Sequence, residues 1–571
     1  MPTYEFPLED FNRMLGNKPT TFKELEENLP YMAVPVDKGT EDQVAVEVFA
    51  NRPDMLGVEG LARMYAGFTE REIGIPTYLV EETEPFHVYI KNEMKKYRPY
   101  LFMAKITGLK LNDMTVQAFF TLQEKLHTTH ARNRKKASIG FYDIHSGRGI
   151  KPPITFKMID KDAIKFIPLD ETEMMSPREM LEKTQKGRDY AHLVPENQTP
   201  LLIDSKDIIL SIPPILNAEE CAVTEDTTEI FVDVTGWDWL TCIQAFNMIL
   251  TALADRGGKI HSAIHHYEYD TPGGREIKLP DFSPAIMELD PKYVSKKLGM
   301  DLTIEDQIFY LKKNRLGAKI TKNKKIEVSI PCFRSDIMHP IDLVEDIIIG
   351  YDYRKIEPTI PNISTIGKES KWEILKRKLA HLYAGIGAFE VMTYILSCED
   401  HNFTKMKLPI LYDDLATLEN PISTLTTILR NWLTPSLLEI LQRSKKNPYP
   451  QQIFEMAPTI HLDSTTENGV RDQWNFVFLE SSNQSNFNSA KAALATLEHN
   501  LDIRFELKEV ELPFLNKGRS AEVFFQEKKI GFLGEFHPEV LINWDLEIPV
   551  VGFEIEVEPW FNDIRKQLGL P

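Results

Sequence analysis

The stretch EIFVDVTG, residues 229–236, alternates cleanly. Successive side chains on a strand point to opposite faces, so Phe231, Asp233 and Thr235 share one face and Ile230, Val232 and Val234 the other. The run ends at Gly236. WLTCIQAFNMILTALADRGG follows at 239–258, apolar at helical spacing and closed by two glycines, a common helix stop. A strand running into an apolar helix predicts a mixed α+β architecture. Polar residues on one strand face have a plain reading, a solvated sheet surface. They also have a second, a cleft lined by Asp233 and Thr235.

Outward from this stretch, LFMAKITGLKL at 101–111 and KDIILSIPPIL at 206–216 read as further strands broken by Gly and Pro. Residues 86–265 therefore predict a β-rich module. Ser211 precedes two prolines that stiffen the backbone, and Asn217 offers both a donor and an acceptor. Upstream, FPLEDFNRMLG at 6–16 and FKELEENLPYM at 22–32 read as short helices, and VAVEVFANRPDML at 44–56 as a strand entering a turn. Downstream, 267–284 carries the turn residues of a linker. In 291–320 the pattern gives two helices and a strand, with Thr303 and Asp306 spaced as an N-cap pair. From 370 onward an amphipathic helix at 372–387 precedes strand pairs at 521–538 and 549–557. Helices on a mostly antiparallel sheet are expected there.

The chain has 571 residues and a net charge of -19. That balance argues against gripping a nucleic acid over a broad surface, where a basic protein is the rule. It leaves room for local patches, such as Arg132, Arg134, Lys135 and Lys136, or the stretch Lys312–Lys325, or for a basic partner. Each of these runs reads equally well as a solvated loop. Cys221, Cys242, Cys332 and Cys398 form no CxxC pair, so reduced thiols are expected rather than a zinc site. No apolar run is long enough for a membrane span. The N-terminus lacks a basic head followed by an apolar stretch, so a cytoplasmic protein without a signal peptide is expected.

An acidic cluster lies at 336–346. Pro340 suits a first helical position, and Asp342, Glu345 and Asp346 then fall on one helix face, with Asp336 just upstream. Carboxylates gathered this way repel unless a cation sits among them, and oxygen ligands suit Mg²⁺. The plainer reading is an acidic first turn stabilised by the helix dipole.

Several motifs, in chain order, resemble the phenylalanyl-tRNA synthetase β subunit in its archaeal or eukaryotic cytosolic version. They are NRPDMLGVEGLARMYA (51–66), LSIPPILN (210–217), FVDVTG (231–236), PCFRSDIMHPIDLVEDIIIGYDY (331–353), ENPISTLTTILRNWLTPSLLEIL (419–441), IFEMAPTI (453–460) and IGFLGEFHPEVL (530–541). The resemblance implies an N-terminal α/β domain (1–85), a tRNA-editing module (86–270), a small winged-helix-like module with the acidic motif (271–360) and an inactive class II synthetase-like domain (361–571). It implies an α2β2 assembly with an α subunit that joins phenylalanine to tRNA(Phe) using ATP. It aligns Ser211, Asp233 and Thr235 with a pocket that hydrolyses tyrosyl-tRNA(Phe), and Leu202 with its apolar wall. It carries over Asp336, Asp342, Glu345 and Asp346 as ligands of a Mg²⁺ ion shared with the α subunit. Arg430 falls in a Leu-rich, helix-like setting, and the Gly-rich arginine helix start of an active ligase is missing. IFEMAPTI departs from the family's Phe-Glu-Ile-Gly run at Met456 and Ala457, which puts a tight turn there in doubt. The competing reading is a scaffold or RNA-binding paralogue that keeps the fold without either activity.

Overall fold

A computed structural model describes residues 2–144 and 149–565. The chain forms two compact units, Met1–Ile360 and Pro361–Pro571. Both mix helices with sheets, as the patterning predicts.

In the first unit the largest sheet has ten strands among the described residues. Its path runs Leu216–Asn217, Ile209–Ile212, Gln198–Ile203, Ile154–Asp160, Val80–Ile90, Lys259–Tyr267, Tyr100–Thr107, Ile230–Gly236 and Ala137–Asp143, with Glu276–Leu279 added beside Lys259–Tyr267. The stretch read as a linker at 267–284 thus contributes a strand. Ile230–Gly236 lies between two antiparallel neighbours and is buried on both faces, so Asp233 and Thr235 do not face solvent. The alternation instead divides two cores. Ile230, Val232 and Val234 pack with Phe246 and Ile249 of the helix Trp239–Asp255, while Phe231 packs with Leu101, Met103 and Tyr142. Asp238 caps that helix by accepting from the Thr241 N–H at 2.8 Å.

The N-terminal part of the unit, with the strands Thr3–Pro7, Val36–Gly39 and Gln43–Glu47, is tied to this helix by buried ion pairs. Arg256 donates to both Asp10 oxygens at 3.0 and 2.7 Å and reaches Glu59, and Arg63 pairs with Asp255 at 2.5 Å. Glu59 and Arg63 belong to the 51–66 motif, whose acids and bases therefore serve cohesion. Farther on, Thr303 and Asp306 form the expected capping box of the helix Ile304–Lys313.

The second unit carries a seven-stranded sheet in the order Phe389–Glu390, Gln451–Leu462, Val470–Ser481, Val550–Glu556, Lys528–Phe536, Leu515–Phe525, Glu506–Glu509. All pairings but the first are antiparallel. The helices Lys371–Gly385 and Phe487–Leu501 bury Leu375, Leu379, Tyr383, Leu494 and Leu497 in one core with Phe476 and Phe553 of the sheet. IFEMAPTI runs through the middle of the twelve-residue strand Gln451–Leu462, without a turn.

Candidate functional site

The two ends of this nine-strand path come together. Asn217 Nδ2 donates to the Phe141 carbonyl at 3.0 Å, and Tyr142 Oη lies 2.7 Å from Ser211 Oγ. Between the ends opens a cleft of about 490 Å³, lined by Ser138, Tyr142, Ser211, Asn217 and Asp233, with Phe120, Phe141, Ile215 and Leu216 among its apolar wall.

Asp233 and Ser211 meet there through Tyr142. The Tyr142 hydroxyl donates to Asp233 Oδ1 at 2.5 Å, which leaves its oxygen to accept from Ser211. Gly140 sits directly opposite Asp233 in the ladder, and a Cβ there would collide with both the Asp233 carboxylate and the Tyr142 hydroxyl. Burial pushes the Asp233 carboxyl up to about 7, against the lowering effect of the Tyr142 bond and the nearby Arg98 charge. It is thus poised to change charge near neutrality. Tyr142 and Gly140 are absent from the sequence-based candidates. Their signal is the alternation of ASIGFYD at 137–143, where Ser138, Gly140 and Tyr142 share a face with a glycine in mid-strand.

Thr235 stands apart from this group. Its Oγ1 accepts from Arg98 Nε at 2.8 Å and lies 2.9 Å from Ser138 Oγ. It is fully buried and reaches the cleft through Ser138, which lines it. Leu202 is also fully buried, in the core behind Ser211 rather than on the cleft wall.

One side of the cleft is braced by charge. His127 Nε2 accepts from the Ile139 N–H at 2.8 Å, so the ring is neutral with its proton on Nδ1, directed at Glu124 Oε1 at 3.2 Å. Burial holds that imidazole down at about 4. Arg134 donates to the same Glu124 oxygen at 2.7 Å and to the Ile215 carbonyl at 2.9 Å, and lies over the Tyr190 ring. Of the basic run, then, Arg134 is a buried brace, while Arg132 and Lys135 are exposed. In the second basic stretch, Lys313 and Arg315 are buried and paired with Glu70 and Glu72.

The family model described as phenylalanyl tRNA synthetase beta chain CLM domain matches residues 356–557, and that of the tRNA synthetase B5 domain matches 287–353. The phenylalanine–tRNA ligase beta subunit of Methanosarcina acetivorans is 36% identical over 559 residues, covering 98% of each chain. That of Methanocaldococcus jannaschii is 36% identical over 565 residues, covering 98% of this chain and 100% of its own. The chain belongs to the phenylalanine–tRNA ligase β subunit family. A crystal structure of an N-terminal fragment of the phenylalanyl-tRNA synthetase β subunit from Pyrococcus horikoshii superposes with a TM-score of 0.57. It is 35% identical and covers 61% of this chain and 99% of its own.

In this β subunit the acidic residues at 336–346 are matched within the chain. Arg334 donates to both Asp336 oxygens at 2.8 and 2.7 Å and to Asp346 Oδ2 at 2.9 Å. The Arg334 side chain is 1% exposed. Its charge draws the Asp336 carboxyl down to about 2, while burial raises Asp346 to about 6. Arg52 and Asp54 of the NRPD turn, bonded to each other at 2.9 and 2.7 Å, act electrostatically on this group from the other side. Asp342 accepts the Met338 and His339 N–H groups at 2.8 and 2.7 Å and caps the helix Pro340–Tyr351. Glu345 is exposed. Mg²⁺ demands near-octahedral oxygen ligation. Here a guanidinium occupies the position between the buried carboxylates, and among the described residues no three His, Cys, Asp or Glu side chains gather as a metal cradle. As arranged, these four acids do not fit the ion.

In the second unit of the β subunit, Arg430 follows the short strand Ile428–Leu429 and precedes the helix Thr434–Arg443, so it is not helical. It is buried, ion-paired with Glu455 at 3.4 Å and bonded to the Thr393 hydroxyl. Glu554, also buried, accepts from the Leu433 and Thr434 N–H groups, both at 2.8 Å, from the Thr434 hydroxyl at 2.7 Å and from Asn475 at 2.7 Å. Both buried groups thus find their partners within the chain.

Proposed function

We propose that the chain is the proofreading and scaffolding half of a phenylalanine–tRNA ligase. It joins an α subunit in an α2β2 assembly in which the partner attaches phenylalanine to tRNA(Phe) with ATP and Mg²⁺. In this reading 1–85 is an N-terminal α/β domain, 86–270 the editing module, 271–360 a small winged-helix-like module and 361–571 an inactive class II-like domain.

The observation that carries the proofreading role is the chain Ser211–Tyr142–Asp233 at the head of the cleft. Phenylalanine and tyrosine differ by one hydroxyl, and an apolar pocket rejects an added hydroxyl poorly. A second site built to bond that hydroxyl discriminates strongly, because the analogue lacking it leaves buried polar groups unpaired. A tyrosyl phenol would donate to Asp233, whose carboxyl is already oriented by Tyr142. Ester hydrolysis then falls to a positioned water rather than a covalent nucleophile. Burial pushes the Cys242 thiol up to about 12, and the imidazole beside the cleft, His127, is committed to Ile139 and Glu124.

The α subunit's surface in this reading is the exposed apolar stretch of the second unit that includes Phe389, Met392, Tyr394, Ile422 and Leu425, since an apolar patch of this kind marks an interaction site. The helices of this unit spend their apolar faces on its own core. Asp336 and Asp346 serve as counter-ions of Arg334, and Mg²⁺ acts with ATP elsewhere in the complex. No helix among the described residues is long and apolar enough to cross a membrane, in keeping with a cytoplasmic site of action.

Co-expression with the cognate α subunit tests this. The complex should aminoacylate tRNA(Phe) and clear tyrosyl-tRNA(Phe), while the chain alone activates no phenylalanine. A complex that forms but does neither would support the scaffold paralogue instead.

A further inference from the structure

Ser138 is buried, lines the cleft and stands opposite Thr235 in the sheet. Its hydroxyl has two neighbours, Arg98 Nη2 at 2.9 Å and Thr235 Oγ1 at 2.9 Å. Arginine only donates, so Ser138 Oγ accepts from Arg98, as Thr235 Oγ1 accepts from Arg98 Nε at 2.8 Å. One hydroxyl must then donate to the other, and one proton is left over. If Ser138 donated to Thr235, the Thr235 proton would have no acceptor at a fully buried position. An unmet buried donor is costly. If Thr235 donates to Ser138, both Ser138 lone pairs are filled and the spare proton belongs to the residue that borders open space. We infer that Ser138 directs this proton into the cleft as a hydrogen-bond donor to the ligand, and that Arg98 and Thr235 are positioning residues that act through it.

The spacing says which ligand oxygen it meets. Ser138 and Gly140 are neighbours on one strand face, and Gly140 faces Asp233. Two residues along a strand span roughly 7 Å. That is about the reach of a tyrosyl group from its phenolic oxygen to its acyl carbon. With the phenol at Asp233, the ester carbonyl falls at Ser138. There a fixed O–H backed by a buried guanidinium would stabilise the negative charge that develops as water adds to the carbonyl. The role rests on the editing function proposed above. It is distinct from it in naming a residue and an atom.

The test is single-turnover hydrolysis of tyrosyl-tRNA(Phe) by the complex with the α subunit. Ser138→Ala should slow hydrolysis on the order of 10²-fold with little change in the concentration for half-saturation. Its melting temperature should fall modestly, because the Thr235 proton loses its acceptor while Arg98 Nη2 keeps the Thr235 carbonyl at 2.7 Å. Ser138→Cys, a weak donor, should recover part of the rate. Thr235→Val should match Ser138→Ala, and the double variant should be no slower than either. A Ser138→Ala complex as fast as wild type, alongside an impaired Asp233→Ala complex, overturns the role of Ser138 and spares the editing reading. Losses from Ser138 and Thr235 that multiply overturn the relay. A wild-type complex that leaves tyrosyl-tRNA(Phe) intact overturns both.

Discussion

Two groups of buried polar side chains in the first unit follow opposite plans. Around Asp233, four hydroxyls and one carboxyl form short chains that lead from the sheet interior to an open cleft. Around Arg334, two aspartates close on one guanidinium, and the Arg52–Asp54 pair adds its field from the NRPD turn. One group borders open space, and burial pushes its carboxyl up to about 7. The other pairs its carboxylates with a guanidinium of the chain. Both centre on aspartate, Asp233 in one and Asp336 with Asp346 in the other. What separates them is that one group closes on a guanidinium of the chain while the other borders an open cleft.

The difference can be broken from either side. Asp233→Ala should cost the most, on the order of 10²-fold or more in tyrosyl-ester hydrolysis, with aminoacylation intact, read by single-turnover assay. Arg334→Met leaves Asp336 and Asp346 buried without their counter-ion. It should lower stability by about 3–5 kcal/mol in denaturant titration. If Arg334 is the resident cation, a chelator should not shift the wild-type melting temperature. A rise with added Mg²⁺ would place a metal there, since a ligand bound to the folded state stabilises it.

A subtler contrast lies in pH. The folded Asp233 carboxyl holds its proton up to about 7, against an ordinary value of 3.8. Between those values the folded state binds one more proton than the unfolded. Its stabilising contribution is therefore full below about pH 4 and lost by about 1.4 kcal/mol per pH unit as pH rises toward 7. Asp233→Asn cannot ionise, so its melting temperature should exceed that of wild type at pH 8, and the gap should shrink toward pH 5. The smallest effect expected is that of Tyr142→Phe, which removes one buried hydrogen bond on each side of the ring oxygen. It should lower stability by about 1–2 kcal/mol, measured in the same titration.

Much of this was legible in the sequence where local rules act alone. The Pro340 helix start, the Thr303–Asp306 cap and the alternation at 230–236 needed only neighbours in the chain. The pairing of Ser211 with Asp233 came from family resemblance and not from spacing. Its physical basis, Tyr142, lies 69 residues from Ser211 and 91 from Asp233, and only the meeting of the two sheet ends joins them. Thr235 looked equivalent to Asp233 because both share a strand face. Arg98, 137 residues away, draws it into a separate relay. The acidic cluster shows the same limit of local reading. Helical spacing collects Asp342, Glu345 and Asp346 on one face, but it says nothing of Arg334 lying between Asp336 and Asp346. In the second unit, Arg430 read as helical because its surroundings are Leu-rich, whereas Glu455 from a distant strand fixes it.

The central claim, that the cleft reads the tyrosyl hydroxyl through Asp233, meets its most direct test in a ratio. Hydrolysis of tyrosyl-tRNA(Phe) and of phenylalanyl-tRNA(Phe) would be timed for the wild-type complex and for Asp233→Ala. The account predicts strong preference for the tyrosyl ester in wild type and a collapse of that preference in the variant. A preference unchanged by Asp233→Ala would contradict it.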